Sequence, residues 1–246
     1  RFDLGRQANT IKSYTSISAL GKFLPHFDGV SLGQHELIVM FWSGVKKLKP
    51  PPRIVVPPWS LELVLSYLES APFEPMARAS LLDWTLKTAF LVAVASAARV
   101  SELAALDCRP PFTVIRKGFA SLKHNEEFRP KVPSSTNVER SINLEVLPHS
   151  LVCPVRALSH YLHLTQTLRR PPCSQLFVSF AKGKEGKKVL PSTISCWLVR
   201  LIKAAYASKG LPMPQVVGHS TRKMATSQAW AQGASCEEIC TAATWK

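Results

Sequence analysis

Acidic residues are the scarce class in this chain: 16 Asp and Glu stand against 31 Lys and Arg, for a formal charge of +15 and a pI near 9.8. So few carboxylates, none clustered, leave little with which to build a two-metal phosphoryl-transfer centre. Closely spaced cysteines are missing too. The six present (Cys108, Cys153, Cys173, Cys196, Cys236 and Cys240) form no CxxC. Cys236 and Cys240 fall one helical turn apart, but a zinc site would need His160 and His163 or other ligands to converge on them, so the expectation is no metal. Scattered thiols fit a reduced, intracellular setting. Long apolar runs are also lacking. The longest, Ala89 to Ala98, falls well short of the roughly 20 residues that span a bilayer, and nothing at the start reads as a signal peptide. The chain begins without methionine and stops at Lys246 in mid-pattern, which suggests a fragment.

What is present is a foldable chain of 246 residues, 46% hydrophobic, long enough for one large domain or two smaller ones. Charge is unevenly spread. Residues 1–58 carry 8 basic and 3 acidic side chains, 59–150 carry 10 of each, and 151–246 carry 13 and 3. Two basic ends around a neutral middle suit a clamp on a polyanion, where each neutralised phosphate releases counterions.

Apolar spacing predicts short helices over residues 10–27 and 31–48. Lys49 to Pro58, with five prolines, cannot be helical and reads as a semi-rigid spacer. The expected organisation is therefore a helical segment 1–48, a linker 49–58 and a main domain 59–246. Within the last, Ser60 caps a helix to about Leu68, and Ser80 caps a long one, apolar nearly all round and hence central. Short β-like runs follow at 112–115, 119–122 and 141–146, predicting a small antiparallel sheet. Helix returns over 153–167, Leu176 to Val178 reads as a brief strand, and Ser192 opens another helix. After Pro212 and Pro214 come a helix ending at Gly233 and a last one capped by Ser235 and Glu238. The expected fold is mainly α with a small antiparallel β-sheet.

Chemistry concentrates in a few residues. His219 and Arg222, three apart at the mouth of a helix, lie on one face and can reach one anionic group. Arg99, delivered by the greasy helix, must pair with a carboxylate or await an anion, and Glu102 one turn on can steady it. Trp245 adds an indole donor. Lys123 and Lys131 lie near the sheet connections, where a lysine can protonate a leaving oxygen. Lys182, Lys184, Lys187 and Lys188 make a basic loop suited to tracking phosphates. Guanidinium groups suit a phosphodiester whose charge grows in the transition state, with no metal required.

The segment Ala97 to Leu103 (AARVSEL) resembles the first-arginine motif of tyrosine recombinases, the integrase, Cre and Xer family, and His219-Ser220-Thr221-Arg222 resembles its HxxR box. Pro57-Pro58-Trp59, Phe128 to Lys131, Cys153 to Leu158, Leu176 to Ser179 and His219 to Trp230 are more narrowly similar to recombinases of DIRS/Ngaro-type retrotransposons. The resemblance implies that Arg99 and Arg222 grip the scissile phosphate, His219 and Trp245 assist, and Lys131, or else Lys123, is the general acid. It further implies a SAM-like core-binding segment at 1–48, no cofactor, double-stranded DNA as partner, a tetramer in the synaptic complex, a nuclear location, and strand exchange through a phosphotyrosyl intermediate. The sequence departs from the family's pattern in three ways. Ala97-Ala98 stands where many relatives have glycine, the N-terminal part is short, and all four tyrosines (Tyr14, Tyr67, Tyr161, Tyr206) precede the HxxR box. The family nucleophile follows the His/Trp position, so the alternatives are a recombinase whose nucleophile lies beyond this stretch and a DNA-binding remnant that no longer cuts.

Overall fold

The computed structural model describes residues 29–30, 35–48, 59–129, 141–169 and 173–243. The chain packs as two units, Arg1–Val55 and Val56–Lys246. In the first, helix α1 spans Glu36–Leu48, with Glu36 in its first turn and Lys46 and Lys47 in its last, each complementing the helix dipole. It begins later than the expected Ser31, because His35 accepts the Leu37 N–H on Nδ1 at 3.3 Å and marks the helix entry. Trp42 and Val45 are buried. The helix expected over 10–27 lies outside the described residues, as does the Pro-rich stretch.

The second unit is built around one helix. Ser60 caps α2 (Leu61–Leu68), and a capping box between Ser80 and Asp83 opens α3 (Leu81–Ser96). From Trp84 to Ala93 every residue of α3 is buried, Lys87 included. Such a helix needs neighbours on all sides, and it packs against α5 (Pro154–Thr165), α6 (Pro191–Ser208), α7 (Ser220–Ala231) and the sheet. Ala97 then takes a left-handed conformation (φ 47°), and the chain turns directly into α4 (Val100–Ala105).

The sheet has antiparallel strands β1 (Thr113–Arg116), β2 (Phe119–Lys123) and β3 (Ser141–Glu145), in that order. Leu122 pairs with both Thr113 and Ile142. Ala120, Leu122, Ile142 and Leu144 alternate inward and are buried, as a one-sided sheet requires. Lys117 and Gly118 close the first hairpin, with Gly118 at φ 105° as a two-residue turn demands.

Two expectations need correction. Among the described residues, Leu176–Val178 joins no sheet, and beside it stand the isolated bridges Asp107↔Gln175 and Val178↔Lys188. A backbone bond, from the Leu176 N–H to the Leu106 carbonyl at 2.7 Å, and two side chains hold this segment. Arg169 Nη2 donates to the Leu176 carbonyl at 2.6 Å, and the Tyr161 hydroxyl accepts the Val178 N–H at 3.0 Å. And α6 begins at Pro191 rather than Ser192, because proline is pre-set for the first helical position and has no N–H to leave unpaired. The final helix α8 (Cys236–Ala242) carries the expected Ser235–Glu238 capping box.

Beneath the central helix lies an ion cluster the sequence did not reveal. Lys87 Nζ, on a side chain 1% exposed, meets Glu74 Oε1 at 2.6 Å and the Leu68 carbonyl at 2.9 Å. Arg156 grips the same carboxylate at 2.9 and 3.2 Å. Burial pushes the Glu74 carboxyl up, but the hydrogen bonds from Arg156 and Lys87 outweigh it, and its pKa ends below the ordinary value. Among the described residues, no helix is long and apolar enough to cross a membrane.

Candidate functional site

The left-handed turn at Ala97 aims Arg99 at the mouth of α4. Its backbone N–H donates to Glu102 Oε2 at 2.6 Å, and its Nη1 donates to Oε1 at 2.7 Å. One carboxylate thus caps the helix and holds the guanidinium. Glu102 has a second client. Arg222 Nη1, from α7, reaches its Oε2 at 3.4 Å. The Arg99 side chain is 38% exposed, Arg222 14% and Glu102 9%. Two cations thus share this carboxylate, and the cluster is open to solvent on the Arg99 side. Burial and the neighbouring Arg99 charge press the Arg222 pKa downward, with Glu102 opposing. A guanidinium so held stays protonated beside a second cation, an arrangement suited to an added anion.

Packing sets these positions. Gln175, 8% exposed, donates through Nε2 to the carbonyls of Ala104 and Val189, and accepts the Val189 N–H at 2.7 Å. It ties the end of α4 to the approach to α6. Gly218, just ahead of His219, lies so close to α6 that an added Cβ would overlap Ser195 Oγ and stand 2.7 Å from its Cβ. Thr221, 1% exposed, donates its hydroxyl to the Gly218 carbonyl at 3.0 Å. His219 is the N-cap residue of α7 and is exposed. The indole N–H of Trp59 donates to Ser220 Oγ at 3.0 Å. The roles of Gln175 and of the Trp59 donor escaped the sequence reading. For Gln175 no local signal exists, while the glycine before the HxxR box was a visible cue to close packing.

Of the other expected residues, Lys123 ends β2, half-buried and paired with Ser141. Lys182, Lys184, Lys187 and Lys188 are all exposed on their loop. Lys131 and Trp245 lie outside the described residues. Among the described residues, no group of three or more His, Cys, Asp or Glu is placed to hold a metal. The tyrosines are engaged away from the arginines: Tyr161 is fully buried, with burial pushing its phenol up to about 12. Tyr206 accepts the Ser60 N–H at 2.8 Å, and Tyr67 stacks edge-on with Phe73. Tyr14 is outside the described residues.

No protein-family model matches the chain, and no curated protein matches it. Among solved structures it is similar to the XerH site-specific recombinase bound to palindromic difH substrate, a post-cleavage complex, with a TM-score of 0.56 at 12% identity over 98% of this chain and 61% of that one. XerA recombinase aligns with a TM-score of 0.48 at 17% identity, over 97% of this chain and 74% of that one. A lambda integrase dimer bound to a COC' core site aligns at 0.48 and 15% identity, over 82% of this chain but 49% of that one, so this chain spans about half the lambda integrase length. The second unit, with seven described α-helices and a three-stranded antiparallel sheet, has the fold of a tyrosine recombinase catalytic domain.

Proposed function

We propose that this chain binds duplex DNA as the catalytic-domain part of a tyrosine recombinase, with Arg99 and Arg222 as ligands of the scissile phosphate and Glu102 as their common support. The observation that carries this reading is the convergence of two arginines on one carboxylate, with the Arg99 side of the pair open to solvent, inside this fold. A phosphate between them accepts parallel N–H bonds and spreads its transition-state charge over both guanidinium groups. His219 supplies proton traffic beside it, with Trp245 as a further donor and Lys131, or Lys123, as general acid. The lysine-rich loop 182–188 adds sequence-independent backbone affinity. In this reading the segment 1–48 is the core-binding half, the assembly on DNA is a tetramer, and the setting is nuclear, in a DIRS/Ngaro-type retrotransposon.

A second reading, a DNA-binding remnant that does not cut, is favoured by the tyrosines. Among the described tyrosines, Tyr161 is buried in the core, and Tyr67 and Tyr206 pack half-buried against it, so these three side chains are already engaged.

Salt-dependent binding to a duplex tests the common part. Arg99→Gln and Arg222→Gln are each expected to lower the magnitude of the log K against log salt slope by about one; unchanged slopes refute phosphate contact. Trapping on a nicked duplex, with a form extended past Lys246, separates the two readings: a covalent adduct supports the recombinase, and binding without an adduct supports the remnant.

A further inference from the structure

Trp59 is 2% exposed, and its ring leans on Phe90 of α3 with centroids 5.9 Å apart. Its indole N–H donates to Ser220 Oγ at 3.0 Å across 161 residues of sequence. Indole nitrogen donates and does not accept, so the polarity is fixed and Ser220 is the acceptor. Ser220 is the first residue of α7. Arg222 follows two residues later, about 200° around the helix axis. Trp59 therefore holds the first turn of α7 from one side, while Glu102 takes Arg222 at 3.4 Å on the other. Lateral ties on opposite faces of a single turn resist its rotation. Sliding is opposed as well, since Thr221 between them is buried and bonded to Gly218, which has no spare room against Ser195.

We infer that Trp59 is a positioning residue of the anion site: its hydrogen bond to Ser220 sets the rotation of the first turn of α7, and so the direction in which Arg222 and His219 meet a phosphate. This rests on the reading of Arg222 as a phosphate ligand. Trp59 acts only through the helix it pins, and its effect should vanish when the side chain it aims is removed.

The test uses the full chain and a short mixed-sequence duplex, with affinity read by fluorescence anisotropy at low salt and at a temperature where every variant is folded by circular dichroism. Trp59→Phe keeps an aromatic ring, though a smaller one, and removes the donor, Ser220→Ala removes the acceptor, and Ser220→Thr keeps the hydroxyl. Trp59→Phe and Ser220→Ala are each expected to weaken binding about fivefold, the scale of one neutral hydrogen bond. The double variant is no weaker than either single one, and Ser220→Thr binds as the parent does. In an Arg222→Gln background neither change alters affinity further. Equal losses in both backgrounds, or no loss in the parent while Arg222→Gln itself weakens binding, overturn the positioning role and leave the phosphate reading standing. Should Arg222→Gln bind as tightly as the parent, the phosphate reading fails and this inference falls with it.

Discussion

Replacing Glu102 by glutamine keeps the shape of the side chain and removes the charge on which both arginines rest. The cost has two parts. The Arg99 N–H at 2.6 Å loses a charged acceptor, and a lost helix cap costs about 1 kcal/mol. The guanidiniums at 2.7 and 3.4 Å lose their shared counter-ion. A charge pair at 4 Å is worth about 4 kcal/mol at an effective dielectric of 20, but Arg99 is 38% exposed and its share falls toward the surface-pair range of about 0–1 kcal/mol. Together these give a loss of about 2–3 kcal/mol. At roughly 2–4 °C per kcal/mol for a domain of this size, Tm drops by about 5–10 °C. DNA should reverse the order of merit. The variant presents both guanidiniums without the competing Glu102 charge, so added duplex raises its Tm by more than it raises that of the parent. Thermal melts with and without duplex, at one low salt concentration, read both quantities. A Tm within about 1 °C of the parent would show that Glu102 does not hold the arginines; a smaller increment with DNA than the parent's would show that the arginines do not face DNA.

Glu74→Gln strands Lys87, 1% exposed, and is expected to cost about 3–5 kcal/mol in urea unfolding, with a loss under 1 kcal/mol arguing against the buried cluster. The same carboxyl and that of Asp107 both have folded pKa values below their ordinary 4.5 and 3.8, so the unfolded chain binds protons first. Stability is then complete above those ordinary values and declines as pH falls through the lower folded ones; a urea midpoint that does not fall between pH 5 and pH 3 contradicts this. Ala97→Gly relieves a left-handed alanine at φ 47° and is expected to stabilise the fold by up to about 1 kcal/mol, whereas a destabilised variant would argue against that turn. Gly218→Ala drives a Cβ into Ser195 and costs about 1–3 kcal/mol, with Ser195→Gly in the same chain expected to recover part of it; no recovery would place the clash elsewhere.

Local rules carried a large part of this architecture. Ser60, Ser80 and Ser235 announced three helix starts because a cap is written within four residues, and Leu122 and Ile142 fell on the buried face because strand alternation has period two. Where a start was misplaced, as at Pro191 or Glu36, the deciding residue lay within a few positions of the expected one. The segment Leu176 to Val178 failed for another reason. Its apolar run satisfies the strand pattern, yet its backbone is held by a bond to the Leu106 carbonyl and by the side chains of Arg169 and Tyr161, which no periodicity announces.

The sequence by itself determined that this protein is basic at both ends, mainly helical around a small sheet, and equipped with Arg99, Glu102, His219 and Arg222 at helix mouths, since residue type and short spacing specify each of these. Only the tertiary structure decided that one Glu102 carboxylate serves arginines separated by more than a hundred residues, that Trp59 anchors the helix of Arg222, and that Lys87 is neutralised by a glutamate which Arg156 also grips. The physical reason is range. Helical and strand periods act over a few residues, whereas a shared counter-ion exists only once separate helices have packed and their facing surfaces are fixed.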